Sequence, residues 1–139
     1  MSPKIISSIL TVSLAATVAA LFWVLPASAQ RGTARATVVT VTAGKPSEFG
    51  FKLSTKAFKH GAVTFKVTDG GILPHDFKVC SSSHGSTAAN VCTGKKTPLL
   101  TPGTSKTLVI TFLKAGTYEY MCTVSGHAVA GMKGLLKVS

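Results

Sequence analysis

The sequence has few acidic residues, few charges overall and no concentrated run of basic residues. Only 4 of its 139 residues are Asp or Glu, against 15 Lys or Arg, and charged residues make up 14% of the chain. Because 45% of the residues are apolar, the chain can bury enough surface to fold, which excludes a disordered protein. This length has room for one domain with one modest core.

The positive charge is dispersed rather than clustered. The formal net charge is +11, yet Lys95 and Lys96 are the only adjacent lysines. The chain also lacks the aromatic and arginine platform with which proteins grip nucleic-acid strands, so we expect no nucleic-acid partner. Dispersed positive charge instead favours encounters with acidic proteins.

The N-terminal segment 1–29 has the features of an export signal. Lys4 precedes 21 uncharged residues, 5–25, and a proline then leads to an Ala-Ser-Ala sequence that ends at Ala29. We predict cleavage after Ala29, which would leave residues 30–139 as a single periplasmic or extracellular domain. The uncharged run is also long enough to span a bilayer, so an uncleaved membrane anchor is the alternative.

The body of the chain shows no helical periodicity beyond one or two turns. Apolar and polar residues alternate instead in short segments, which turns rich in Gly and Pro separate; the clearest are 49–53, 63–67 and 108–112. Short strands at such spacing predict an antiparallel β-sandwich or barrel.

The three cysteines are best explained as one pair and one unpaired residue. The segment 81–101 is rich in Ser, Thr and Gly, and loops of that length are uncommon in compact domains unless they are tied down or functional. A disulfide between Cys80 and Cys92 would tie this one, as an oxidising compartment permits. Cys122 then remains unpaired, which in an exported protein requires an explanation.

Cys122 begins a pattern of possible metal ligands, Cys122-x4-His127-x4-Met132, and His75 supplies a second imidazole upstream. A glycine precedes both His127 and Met132, which makes a loop around one point feasible. One thiolate, two imidazoles and one thioether form the ligand set that suits copper cycling between Cu(I) and Cu(II).

Other chemistry accounts for these residues less well. Zinc prefers four strong ligands and gains little from a thioether, while an iron–sulfur cluster needs four thiolates. A catalytic Cys–His pair is the sharper rival, but it leaves Met132 and His75 without roles. Four protein ligands leave no open position for a substrate, so we expect neither an enzyme nor a small-molecule substrate.

Two stretches resemble the ligand-bearing segments of the cupredoxins, the blue copper proteins related to plastocyanin, azurin and rusticyanin. They are GILPHDF at 71–77 and GTYEYMCTVSGHAVAGMKGLLKV at 116–138, and the resemblance extends over most of residues 38–138. It implies an all-β fold, a Greek-key β-sandwich of about 7–8 strands, with one type 1 copper at one end.

The resemblance also implies a role for each candidate ligand. His75 and His127 would bind copper through ring nitrogens, Cys122 through its thiolate, and Met132 as the long axial ligand. Many relatives have Asn after the first histidine, where this chain has Asp76. We expect the Asp76 carboxylate to accept a hydrogen bond from the Thr123 hydroxyl, and its charge to favour Cu(II) and lower the reduction potential.

In relatives the edge of the second histidine emerges through an apolar patch that docks partners. The corresponding candidates here are Leu73, Pro74, Ala128, Val129 and Ala130. We expect a monomer that docks an acidic redox protein, such as a cytochrome or a copper oxidoreductase, at this patch near His127. The predicted function is transfer of single electrons by an exported blue copper protein. The alternative is a copper carrier or buffer without physiological electron transfer.

Overall fold

The computed structural model describes residues 36–81 and 92–139, which form nine β-strands and no helix. In chain order the strands are β1 (Thr37–Ala43), β2 (Phe51–Leu53), β3 (Ala57–Phe58), β4 (Gly61–Asp69), β5 (Lys78–Cys80), β6 (Gly94–Lys96), β7 (Ser105–Phe112), β8 (Gly116–Met121) and β9 (Lys133–Val138).

The predicted export signal, with its cleavage after Ala29, lies outside the described residues. Within 36–81 and 92–139, no helix has the length and apolar character needed to cross a membrane.

The strands form two sheets, with the orders β2-β1-β4-β7 and β3-β9-β8-β5-β6. The predicted Greek-key β-sandwich is confirmed, although nine strands replace the expected 7–8 because β3 and β6 are only two and three residues long. Two pairs, β1 with β4 and β3 with β9, are parallel, so both sheets are mixed. The sequence pattern does not reveal strand direction, because side chains alternate with a period of two in either direction.

The core lies between the two sheets and contains the inward residues that the alternation predicts. Val63, Phe65 and Val67 on β4 have 0% exposure. The ring of Phe65 faces that of Phe77, from the segment leading into β5, with centroids 5.4 Å apart. Phe49 departs from the predicted pattern, because it precedes β2 and is exposed instead of continuing that strand.

The Cys80–Cys92 disulfide is present, with its Cα atoms 5.5 Å apart. It forms a second, smaller buried cluster with Met121 and Ala128. Met121 and Cys122 are both buried but belong to different clusters, since successive residues of a strand point to opposite faces. The disulfide therefore lies on the outer face of this sheet, whereas Cys122 lies on the inner face, in the core.

Truncating the Phe65 ring should destabilise the sandwich strongly. We expect Phe65→Ala to lower the free energy of unfolding by about 3–5 kcal/mol, because it removes a fully buried ring and leaves a cavity between the sheets. Leu113→Ala is the matched control, since Leu113 is 83% exposed and its loss should change the value by less than about 0.5 kcal/mol. Denaturant unfolding of both variants measures this, and equal effects would contradict the assigned core.

Candidate metal centre

The loop between β8 and β9 returns on itself and brings three candidate ligands together. The Cys122 amide donates to the Met132 carbonyl over 3.0 Å, and the Met132 amide donates to the His127 carbonyl over 2.9 Å. Gly126 and Gly131 adopt φ angles of 81° and 108°, a region that side chains other than glycine rarely occupy. The two glycines therefore let this short loop bend around one point, as the sequence pattern predicts.

His75 enters the site from the connection between β4 and β5. Its amide and carbonyl both pair with Leu100, at N–O distances of 3.0 and 2.8 Å. Two residues further on, the Phe77 amide donates to the Thr97 hydroxyl over 3.1 Å. The described end of the segment 81–101 thus supports His75, a role that its Ser-, Thr- and Gly-rich composition did not indicate.

Three side-chain donors converge at this end of the sandwich. The Nδ1 atoms of His75 and His127 lie 3.1 Å apart, and Cys122 Sγ lies 4.0 Å from the former and 3.5 Å from the latter. His75 and Cys122 have 0% exposure and His127 has 8%. A single ion at about 2.0 Å from nitrogen and about 2.3 Å from sulfur requires donor separations of about 3.5 Å. The three residues could therefore hold one metal ion.

Burial shifts the pKa values of Cys122 and His127. It raises the pKa of the Cys122 thiol to about 11. It also lowers the pKa of His127, and the nearby His75 lowers it further. A reactive catalytic cysteine has the opposite properties, a lowered pKa and access to solvent. The arrangement therefore argues against the Cys–His nucleophile. A metal ion bound by Cys122 would displace the thiol proton.

Met132 has the burial expected of a ligand at this position. Its side chain has 0% exposure and lies in the same core cluster as Cys122. The backbone hydrogen bonds to Cys122 and His127 set its place in the loop. A thioether is a soft donor that suits Cu(I) better than zinc.

Asp76 links the two segments that bear His75 and Cys122. Its buried carboxylate accepts hydrogen bonds from the amide and the hydroxyl of Thr123, so the expected Asp76–Thr123 contact is present. The structure adds a cation, because Lys96 Nζ lies 2.9 Å from Asp76 Oδ2 and 2.9 Å from Thr123 Oγ1. Lys96 therefore offsets part of the charge that Asp76 places near the site.

Glu48 is a neighbour of the site that the sequence did not reveal. Its Oε1 lies 2.9 Å from His75 Nε2, the ring nitrogen on the side away from the other donors. The two residues are 27 positions apart in the chain, and neither a motif nor strand alternation connects them. No sequence signal could have paired them before the fold was known.

Most of the predicted docking patch lies on the surface. Leu73, Pro74, Val129 and Ala130 are exposed, Val129 by 75%, so Val129 is not a core residue. Ala128 was placed wrongly, because it is 4% exposed and packs in the small cluster beneath the disulfide.

Two further apolar side chains lie in the adjoining segments. Ile72, beside Leu73, is 82% exposed. The ring of Phe49 is also partly exposed, and it packs against the His127 ring in a T-shaped arrangement with centroids 5.1 Å apart. Phe49 thus covers part of a candidate ligand while it extends the apolar surface.

A β-sandwich with one buried thiol and two buried imidazoles at one end is a metal-binding protein of the cupredoxin class. The chain belongs to the plastocyanin/azurin family of copper-binding proteins, whose family model matches residues 36–139. Copper is therefore its cofactor. Members of this family are in general blue copper proteins that transfer electrons to redox partners.

Solved structures share the fold. An auracyanin from Roseiflexus castenholzii has a TM-score of 0.56 at 20% identity and covers 75% of this chain and 97% of its own. Auracyanin A from Chloroflexus aurantiacus, described as a "blue" copper protein, has a TM-score of 0.56 at 21% identity, with 75% and 99% covered. Rusticyanin from Thiobacillus ferrooxidans has a TM-score of 0.54 at 24% identity, with 73% and 76% covered. No curated protein matches the chain.

Removing the charge of Asp76 and removing the charge of Lys96 should shift the reduction potential in opposite directions. We expect Asp76→Asn to raise the potential and Lys96→Met to lower it, each on the order of tens of millivolts, because a nearby negative charge favours Cu(II). Lys59→Met is the control and should leave the potential nearly unchanged, because this exposed lysine precedes the start of β4, whereas His75 follows its end. Voltammetry of the copper-loaded variants measures this, and shifts of the same sign in both would refute it.

Proposed function

We propose that this protein carries single electrons between redox partners, with one copper ion held by His75, Cys122, His127 and Met132. The observation that carries the proposal is the convergence of one buried thiol and two buried imidazoles at one end of the sandwich. Copper bound there would supply one-electron chemistry by alternating between Cu(I) and Cu(II).

The surrounding residues suit a carrier rather than an enzyme. His75 and Cys122 are held by backbone hydrogen bonds and have no access to solvent, so their positions can change little when the metal charge changes. With Met132 as a fourth protein ligand, no position is left for a substrate. The family's general role in electron transfer supports the same conclusion.

The proposal includes export. Residues 1–29 would direct the chain across the membrane and be removed after Ala29, or remain as an anchor. The working domain would then be residues 30–139 in the periplasm or outside the cell. The Cys80–Cys92 disulfide supports this location, because disulfides persist in oxidising compartments.

We further propose that the exposed residues Leu73, Pro74, Val129 and Ala130, beside His127, dock the partner. The net charge is +11 for the full chain and +10 for residues 30–139, which lack Lys4. It favours an acidic redox protein, such as a cytochrome or a copper oxidoreductase. Apolar contact over the metal centre would give close approach, and the dispersed lysines would raise the encounter rate. The protein would act as a monomer.

Copper loading should produce a strong colour that depends on Cys122. We expect the protein with Cu(II) to absorb intensely in the visible range through sulfur-to-copper charge transfer, and Cys122→Ser to lose that band completely. Met121→Leu is the matched control, because it changes the adjacent residue on the opposite face of the strand and should keep the band. A colourless wild-type protein that takes up zinc instead would refute the copper site.

Retention of the metal separates the electron carrier from a copper carrier or buffer. The electron carrier should keep its copper through repeated chemical reduction and oxidation in the presence of a Cu(I) chelator. Transfer of the metal to the chelator within a few cycles would favour the copper carrier. Metal content after each cycle, measured by atomic absorption, decides between them.

A charge placed in the docking patch should slow electron transfer to an acidic cytochrome. We expect Val129→Glu to lower the bimolecular rate constant at least about tenfold, since it puts a charge of the same sign as the partner into the contact. Leu113→Glu adds the same charge just after β7, whose last residue pairs with the first residue of β4. His75 follows the other end of β4, so this substitution should have a small effect.

Stopped-flow mixing with the oxidised and reduced proteins measures these rates. The wild-type rate should also fall as salt is added, because salt screens the attraction between the basic protein and its acidic partner. Equal effects of the Val129 and Leu113 substitutions would contradict the assigned patch.

A further inference from the structure

Glu48 directs its whole carboxylate at the segment that carries His75. Oε1 accepts from the Leu73 amide over 2.8 Å and lies 2.9 Å from His75 Nε2. The Ile72 amide lies 3.1 Å from both carboxylate oxygens. These contacts join the loop between β1 and β2 to the connection between β4 and β5. The strand pairing by itself does not hold these two segments together.

The loop that carries Glu48 is itself held in place. The Gly44 amide donates to the Gly50 carbonyl over 2.9 Å, and the Gly50 amide donates to the Ser47 carbonyl over 3.0 Å. The carboxylate is surrounded by N–H groups, because the Leu73 and Ile72 amides both donate to it. An ionised carboxylate can only accept hydrogen bonds, so its neighbour on His75 must be a donor.

That requirement determines which nitrogen of His75 is free to bind a metal. A neutral imidazole has one N–H donor and one acceptor nitrogen. With Nε2–H directed at Glu48, the lone pair of His75 lies on Nδ1, which faces His127 Nδ1 at 3.1 Å and Cys122 Sγ at 4.0 Å. A ring flip would place a carbon where Nε2 now meets the carboxylate, and no water reaches the buried ring to replace the lost bond.

Gly71 provides separate support for this contact. A Cβ atom at that position would lie 2.6 Å from Glu48 Oε1 and 2.9 Å from His75 Nε2. Both distances are shorter than real Cβ contacts, so any other residue at position 71 would push the carboxylate and the ring apart. A side chain at position 71 would therefore displace the Glu48 carboxylate from its present contact with His75.

The charge of Glu48 is not offset in the way that the charge of Asp76 is. Lys96 pairs with Asp76, whereas no Lys or Arg within residues 36–81 and 92–139 lies at ion-pair distance from Glu48, whose side-chain partner is the neutral His75 ring. A carboxylate bonded to the far nitrogen of a metal-binding histidine fixes the tautomer and raises the donor strength of the ligating nitrogen. Stronger donation favours the more highly charged metal.

We propose that Glu48 is a positioning residue of the metal centre, which sets the Nε2–H tautomer of His75 and stabilises Cu(II) relative to Cu(I). This rests on the proposed function in one respect, that His75 binds copper through Nδ1. The tautomer itself is a property of the protein side chains and is testable without metal.

The first experiment uses Glu48→Gln, which keeps the shape and a hydrogen-bond acceptor but removes the charge. In the copper-loaded full chain we expect the charge-transfer band to remain while the ratio of Cu(II) to Cu(I) affinity falls about tenfold, a rise in potential of about 59 mV for one electron. Glu119→Gln is the matched control, because Glu119 lies three residues before Cys122, about 10 Å along the strand. An unchanged potential, or an equal rise in both variants, would overturn the electrostatic role.

The second experiment reads the His75 ring directly in the metal-free protein by nitrogen-15 NMR. We expect one Nε2–H tautomer with a slowly exchanging proton in the wild type, and a mixture of tautomers or fast exchange in Glu48→Ala and in Gly71→Ala. An Nδ1–H tautomer in the wild type would overturn the positioning role, and this measurement needs no variant to fold. A wild-type protein that shows the Nε2–H tautomer but never turns blue would refute the proposed function and leave the positioning result in place.

Discussion

The metal centre depends on the link between Asp76 and Thr123, which joins the segment that bears His75 to the loop that begins with Cys122. The partners are 47 positions apart in the chain, and they hold two polar segments together inside a water-poor end of the sandwich. Burying polar groups is unfavourable unless each finds a partner. Backbone bonds between Cys122 and Met132, and between His75 and Leu100, satisfy the remaining groups. The three donors therefore lie close together at this end of the sandwich.

The distribution of charge follows from the same requirement. The four acidic residues are Glu48, Asp69, Asp76 and Glu119; three are buried and Glu48 is half-buried. Two of them, Glu48 and Asp76, accept hydrogen bonds from the segments that carry the candidate ligands. Because no carboxylate is fully exposed, lysines dominate the surface charge of the described residues. The chain is basic because it has 15 Lys or Arg and only 4 Asp or Glu, and the placement of those acids in buried or half-buried positions makes its surface more uniformly positive.

The segment after the disulfide has a structural role that its composition conceals. Cys80 and Cys92 attach this segment to β5, and β6 then pairs with β5. This brings Lys96 to Asp76 and Leu100 to His75. The disulfide therefore supports the ligands through one short edge strand, without contributing a ligand itself. The fold holds the site from three sides: the Glu48 loop, the segment ending at Leu100, and the loop between β8 and β9.

The sequence by itself determined the longer strands, the disulfide and the pattern of His75, Cys122, His127 and Met132, because alternation, turn residues and ligand spacing are local properties. It also predicted the Asp76–Thr123 contact through the family resemblance. Tertiary structure alone decided the parallel strand pairs, the burial of Ala128, the ion pair of Lys96 and the contact of Glu48 with His75. Each of these joins residues that are distant in the chain and share no local pattern. Their proximity arises only when the two sheets pack and their connecting loops meet at one end.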